Sequence, residues 1–309
     1  MIITVTMNPA VDKTAQTATL VPGGLNRLTN IITDAGGKGI NVSKMIKALG
    51  GDCIATGFWG GSTGRDIESI LQDLQIKTDF VKISQTTRTN LKILSDDFGI
   101  TEFNEPGGVI TQCEMDNLAE KLISYAAPGV TFVFAGSLPR GVPVDVYRQL
   151  IIAVKQKGAT AFLDADGEAF STAVSAKPDY VKPNKFELLQ YFGLDNDIPL
   201  TELANLCLQL VETGIGMVAL SMGADGALFV TPHERLYAPG LKVNALSTVG
   251  AGDSMVGAIV YAAFCGMDLK NTAMLAMAAS AGAVTTPGTK PPCKKTMDAL
   301  IKEVKLQKI

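Results

Sequence analysis

Short runs of β-branched and aromatic residues alternate with helix-patterned stretches along most of this chain, and that alternation leaves few folds open. Strands are predicted at Ile2–Thr6, Cys53–Phe58, Thr131–Ala135, Thr160–Asp164, Tyr180–Val181, Met217–Ser221 and Ala227–Thr231. Helices are predicted over Asn41–Leu49, Arg65–Leu74, Val144–Lys157, Lys185–Phe192 and Leu200–Glu212, with two more late in the chain. The first is read from Val42, Met45, Ile46 and Leu49 at helical spacing, with Gly50-Gly51 as its stop. Strand–helix alternation at this spacing implies an α/β fold, a mainly parallel sheet covered on both faces by helices. Two segments break the pattern. Thr14–Thr33 and Thr86–Glu105 are richer in Thr and read as extended pairs, with alternation in NLKILSD. They are expected to form a small β lid, from about 13–33 and 86–106, on a single domain spanning 1–309.

Composition narrows the chemistry. The chain sets 30 acids against 27 bases, a net charge of −3, so nothing marks a nucleic-acid partner or a membrane-surface helix. The uncharged stretch Asn271–Thr289 is rich in small residues and reads as a buried core helix rather than a membrane span. Five cysteines without a CxxC imply reduced thiols, and the N-terminus reads as a strand entering the fold; a cytoplasmic setting is expected. The single histidine, His233, lies in TPHERLY, which reads as a turn and argues against a Ser–His pair or a His general base. Carboxylates, lysines and backbone must do the work.

Three glycine- or cap-rich stretches offer it. In AGGKGINVSK, Gly36, Gly37 and Gly39 permit close backbone approach just before a helix, and Lys38 adds a cation. This is a tight turn or a loop that approaches an anion or polyol. It is not a Walker A loop, since Gly follows the lysine where Ser or Thr is required, and it lacks the G-x-G-x-x-G order of a dinucleotide fold. In VKPNKFELLQYF, Asn184 and Glu187 have capping-box spacing, but Glu187 could also help hold hydrated Mg²⁺ through water, and Lys182 could reach phosphate. In STVGAGDSMVGAIV, the backbone N–H groups near Ala251 and Gly252 could form an anion hole; Asp253 is either a helix cap or a base. Asp12, Arg27 and Arg88 lie in or beside the expected lid, where arginines with Lys38 would suit a phosphorylated substrate. LSMGADG is a hairpin turn or a floor under nucleotide phosphates.

Together NPAVD (8–12), AGGKGINV (35–42), TRTN (87–90), GSLPRG (136–141), KPNKFE (182–187), LSMGADG (220–226) and TVGAGDS (248–254) are similar to the motifs of the ribokinase-like sugar kinases of the phosphofructokinase B family, over essentially the whole length. With TEFNEPG (101–107), they most resemble the branch that phosphorylates fructose 1-phosphate. The resemblance implies a ribokinase-like fold, ATP and Mg²⁺ as cofactors, a sugar phosphate as acceptor and a homodimer formed through the lid. Kinases of tagatose 6-phosphate share most of these motifs, and a sugar-phosphate-binding regulator without catalysis is the other alternative. By the same resemblance, Asp12, Gly37 and Asn41 would hold sugar hydroxyls. Lys38, Arg27, Arg88 and Ser137 would meet the existing phosphate, with Asn90 nearby. Lys182, Asn184 and Glu187 would serve ATP phosphates and Mg²⁺, and Ser221, Gly223 and Gly226 the nucleotide. Gly250, Ala251 and Gly252 would form the anion hole, with Asp253 the catalytic base.

Overall fold

A computed structural model describes residues 1–195 and 198–309. In chain order, β1 (Ile2–Thr6) is followed by β2 (Ala10–Thr17), β3 (Thr29–Gly36) and α1 (Lys38–Ala48). Next come β4 (Cys53–Trp59), α2 (Gly61–Asp73), the short β5 (Lys77–Thr78) and β6 (Val81–Lys82), then β7 (Arg88–Ser95) and β8 (Gly99–Asn104). The middle alternates α3 (Gln112–Tyr125), β9 (Thr131–Ala135), α4 (Val146–Gln156), β10 (Thr160–Asp164), α5 (Gly167–Val174) and β11 (Tyr180–Val181). After them come α6 (Lys185–Tyr191), α7 (Leu200–Glu212), β12 (Met217–Ser221), β13 (Ala227–Val230) and β14 (Arg235–Ala238). The chain closes with α8 (Ala251–Phe264), α9 (Leu269–Ala283), α10 (Lys294–Ile301) and β15 (Gln307–Lys308).

The main sheet runs β15-β14-β13-β12-β11-β10-β9-β1-β4-β5, with β6 also on β4. From β12 to β5 the neighbours are parallel, and β13, β14 and β15 extend the sheet antiparallel. A strand buried on both faces must be apolar throughout or have its hydroxyls bonded. In β1 all five residues are buried, and Thr4 Oγ1 meets Ser43 Oγ of α1 at 2.5 Å. Helices α3 to α7 cover one face, where Leu118, Tyr147, Phe170 and Leu206 share one core with Phe132 and Phe134. Helices α1, α2, α8, α9 and α10 cover the other, around Met45, Ile67, Val256, Ala276 and Met297. Thr6, Ala135 and Asp164 lie side by side in register at the carboxyl ends of β1, β9 and β10, the edge where open α/β sheets take ligands.

A second sheet of four strands, β3-β2-β7-β8, stands beside this edge. Asp12 is opposite Asp34 on one side and Asn90 on the other, so these three share a face. Its strands begin at Ala10 and Arg88, and β3 continues to Gly36, while residues 18–28 hold no strand.

Several element ends differ from the expected ones for local reasons. Helix α1 begins at Lys38, three residues before the apolar periodicity starts, because Gly37 turns the chain with φ 112°. Only glycine fits there: a β-carbon would come within 2.6 Å of Thr6 Cγ2. Helices α3, α5 and α10 lie outside the set predicted from the sequence. The uncharged Asn271–Thr289 stretch divides into helix α9 and a loop, because Gly282 packs on Pro292 and the helix stops at Ala283. No helix among the described residues is long and apolar enough to cross a membrane.

Candidate active site

Asp253 occupies the third position of α8, whose first residues follow Gly250 in the left-handed conformation at φ 81°. No side chain caps this helix; Ala251 N donates to Thr248 O at 3.4 Å, and the N–H groups of Gly252 and Asp253 keep their capacity for an anion. The cap reading of Asp253 therefore falls: its carboxylate reaches across to α1, where Asn41 Nδ2 donates to Oδ2 at 2.7 Å. That reach depends on close helix approach. One turn along, Gly257 faces α1, and a β-carbon there would meet Met45 Cβ at 2.6 Å and Val42 O at 3.1 Å. Asp253 is buried, at 8% exposure. Burial and the nearby Asp164 push its carboxyl up to about 6, against the opposing pull of the Asn41 amide, Lys38 and Lys182. A carboxylate with that proton affinity can accept a proton near neutral pH.

Beside it, Asp164 at the end of β10 is flanked by two cations. Lys182 Nζ lies 3.4 Å from Oδ1 and Lys38 Nζ 3.6 Å from the same atom. Burial alone would raise the Asp164 carboxyl, but Lys182 and Lys38 together hold it below the ordinary range. Asp164 in turn raises the Lys38 ammonium, against its burial, and keeps it charged. Lys182 follows β11 and is buried; a β-carbon on Gly252 would come 3.5 Å from its Nζ, so the ammonium stands beside the first turn of α8. The capping box at α6 forms in full: Asn184 Oδ1 accepts from Glu187 N at 2.8 Å, and Asn184 N donates to Glu187 Oε2 at 2.8 Å. Burial raises the Glu187 carboxyl above its usual range, with the Asn184 N–H and both lysines pulling the other way.

The second sheet supplies the other wall. Asn90 Nδ2 donates to Asp12 Oδ1 at 3.0 Å, and Lys92 Nζ lies 3.9 Å from Asp12 Oδ2. Gly36 is required against this carboxylate, because a β-carbon would overlap it. Asn41 and Asn90 each keep a buried amide oxygen without a partner among the described residues, and a polyol's hydroxyls are the matching donors. Arg88 donates through Nη2 to Asn8 O and through Nη1 to Glu105 O, both at 3.0 Å. Ser137 follows Gly136, which packs on the stem of Lys38, and is exposed at the end of β9. Arg27 is not brought in: it stands exposed in the connection between β2 and β3, with no hydrogen bond or ion pair to this cluster.

Across the sheet, Ser221 at the end of β12 donates its N–H to Pro183 O at 3.0 Å, which joins it to the Lys182–Asn184 segment. Gly223 and Gly226 bracket a single 3₁₀ turn at φ 60° and 100°. A β-carbon on Gly226 would overlap the Ala238 carbonyl, so this turn is built on close backbone approach.

The site thus has one buried carboxylate on Asn41, one helix start without a side-chain cap and two lysines around a shared acid. The profile of the pfkB family carbohydrate kinases matches residues 5–297. The chain belongs to that family. It is a carbohydrate kinase with the ribokinase-like fold, and the family's chemistry takes its phosphoryl group from ATP. The 1-phosphofructokinase of Rhodobacter capsulatus is 34% identical over 307 residues, covering 98% of this chain and 96% of that protein. The D-tagatose-1-phosphate kinase of Bacillus licheniformis is 36% identical over 261 residues, 84% of each. The phosphofructokinase-2 of Escherichia coli in complex with fructose-6-phosphate superposes with a TM-score of 0.92 at 30% identity, covering 98% of both chains.

The cluster also contains residues to which the motifs assign no role. Asp164 ends an ordinary-looking strand, TAFLD, and only the register of β10 with β9 and β11 sets it between two lysines. Lys92 was legible only as an alternating polar residue in NLKILSD; the parallel pairing of β2 with β7 puts it beside Asp12. Arg140 donates through Nε and Nη2 to Gly107 O, at 3.3 and 3.1 Å, and so fixes the segment that Arg88 also holds.

Proposed function

We propose that this kinase transfers the γ-phosphoryl group of ATP to fructose 1-phosphate, giving fructose 1,6-bisphosphate. The carrying observation is the buried Asp253 at an uncapped helix start, gripped by Asn41 and flanked by Lys38 and Lys182 through Asp164. In this reading Asp253 accepts the proton of the attacking hydroxyl. Its carboxyl, raised to about 6, is ionised at neutral pH yet close enough to exchange the proton readily. The N–H groups of Ala251, Gly252 and Asp253, with Gly250 setting their approach, stabilise the negative charge on the equatorial oxygens of the transferring group. Lys182 and Lys38 add positive charge on either side. Asp12, Gly37, Asn41 and Asn90 orient the sugar, and Arg88, Ser137 and Lys38 hold its existing phosphate, with Arg27 available from the exposed loop. Ser221, Gly223 and Gly226 floor the nucleotide.

Mg²⁺ fits the donor set. Glu187 has one carboxylate oxygen on the Asn184 N–H, and among the described residues no three His, Cys, Asp or Glu gather into a cage. Such a set suits an ion that keeps much of its water and meets the protein through it, with Glu187 as the anchor. When bound, the ion would neutralise phosphate charge. The second sheet acts as a lid that keeps water from replacing the sugar as acceptor. Its exposed Ile31, Ile32, Ile100 and Phe103 suit burial against a second copy, and a homodimer through the lid is part of this reading. All five cysteines are free thiols, which suits a reducing, cytoplasmic setting.

The substrate assignment follows the 1-phosphofructokinase relatives, and the tagatose-phosphate relative keeps that sugar on the panel. ADP release is measured with fructose 1-phosphate, fructose 6-phosphate, tagatose 1-phosphate, tagatose 6-phosphate and ribose. Fructose 1-phosphate is expected to give the highest kcat/KM. A different acceptor ahead by about tenfold overturns the assignment.

A further inference from the structure

Thr289, in the loop between α9 and α10, lies where three separate parts of the fold meet. Its hydroxyl donates to Asp34 Oδ2 at 3.3 Å. Asp34 Oδ1 is paired with the buried Nζ of Lys44 on α1 at 2.8 Å, and Lys44 also donates to Ala35 O at 2.5 Å. Asp34 is the cross-strand partner of Asp12, so it sits on the face of the second sheet that carries the Asp12–Asn90 pair. A narrow cleft of about 30 Å³ lined by Asp12, Asp34, Lys92, Thr289 and Lys290 separates that face from the 287–290 loop. On its other side Thr289 lies against Gly250: a β-carbon there would come 3.4 Å from Thr289 Cα, Cβ and Cγ2. The loop entering Gly250 hangs from the same segment, because Leu246 N and Ser247 N both donate to Val284 O, at 2.7 and 3.2 Å.

Asp34 does not need Thr289 to be satisfied, since Lys44 already neutralises it. What the hydroxyl adds is a mechanical tie. We infer that Thr289 and Asp34 are positioning residues that join the acceptor-holding sheet to the helix start at Gly250, so that the two halves of the site keep one spacing during phosphoryl transfer. This rests on the role proposed for the first turn of α8. Neither side chain touches the reacting atoms; both act through Gly250, and displacements of about 1 Å in such a frame can slow transfer by about a hundredfold.

Thr289→Val keeps the shape and removes only the hydroxyl, whereas Thr289→Ser keeps it. Steady-state kinetics are measured for both, with Asp34→Asn and the double variant Asp34→Asn/Thr289→Val, on whichever sugar phosphate the wild type turns over fastest. A change of preferred sugar would therefore overturn the substrate assignment and leave this result standing. We expect Thr289→Val to lower kcat about tenfold with KM for ATP and acceptor changed less than about twofold. Thr289→Ser should return kcat to near wild type, and the double variant should be no slower than the slower single variant. An unchanged kcat in Thr289→Val, a loss that serine does not restore, or effects that multiply in the double variant would overturn the inference.

Discussion

A carboxylate in the first turn of a helix is usually a cap, and Asp253 has the surroundings that the proposed role of base requires. Its oxygen is taken by Asn41 from another helix, it is buried, and a second acid nearby raises it further. Activity should therefore rise with pH through about 6 and level off above it, because the base works only ionised. Asp253→Asn should lower kcat by roughly 10²–10⁴-fold while sugar-phosphate binding, read by calorimetry, persists. The same residue should destabilise the fold it serves. A carboxyl whose folded pKa exceeds its unfolded value favours folding while protonated, so its contribution fades as pH rises from about 4 through about 6. Above that window Asp253→Asn should be the more stable protein by about 2–3 kcal/mol, and near pH 4 the difference should vanish. Urea unfolding at both pH values tests this; equal differences at the two would contradict it. Of this residue the motif gave position and type. It did not give the partner, because Asn41 is 212 positions away and only helix packing brings the two together.

At the level of elements, the approach of α1 to α8 is set by one missing side chain. Gly257→Ala would gain up to about 1 kcal/mol of helix propensity. Against this, a β-carbon 2.6 Å from Met45 Cβ must force the helices apart, which costs about 1–3 kcal/mol in a filled core. The clash should win. Thermal unfolding should show a lower Tm, and kcat should fall because Asn41 and Asp253 separate; an unchanged Tm with full activity would refute this account of the packing. Strand and helix positions were largely legible because burial on both faces writes continuous apolar runs, as in TFVFA and TAFLD. Helix α3 carries its own sequence signal: Thr111 and Glu114 form a capping box ahead of Met115, Leu118 and Leu122. The start of α1 was hidden for a different reason. Glycine at a positive φ begins that helix without any capping side chain, so nothing in AGGK looks like a helix N-terminus.

For the molecule as a whole, the second sheet is the part that invites a partner. Ile32 and Ile100, on the Asp12 face, are 44% and 45% exposed and Phe103, on the other face, 53%, apolar groups that water tolerates poorly on so small a sheet. Light scattering should return a mass twice the 32.5 kDa of one chain, and Ile100→Glu should shift it toward the single chain. A wild type that stays at one chain's mass at assay concentration would remove the homodimer from the reading. Motif spacing could announce the kinase, but not how its parts are held, because Asp164, Lys92 and Thr289 acquire meaning only from strand register and loop contacts. The Asn41–Asp253 bond also has a consequence in time. A ribosome that has delivered the first two hundred residues has already made Asp12, Lys38, Asn41 and Asp164, while the base waits on the last third of the chain. A chain cut short before residue 253 therefore carries every strand of the second sheet and lacks the carboxylate that Asn41 bonds, so it is expected to show no phosphotransfer.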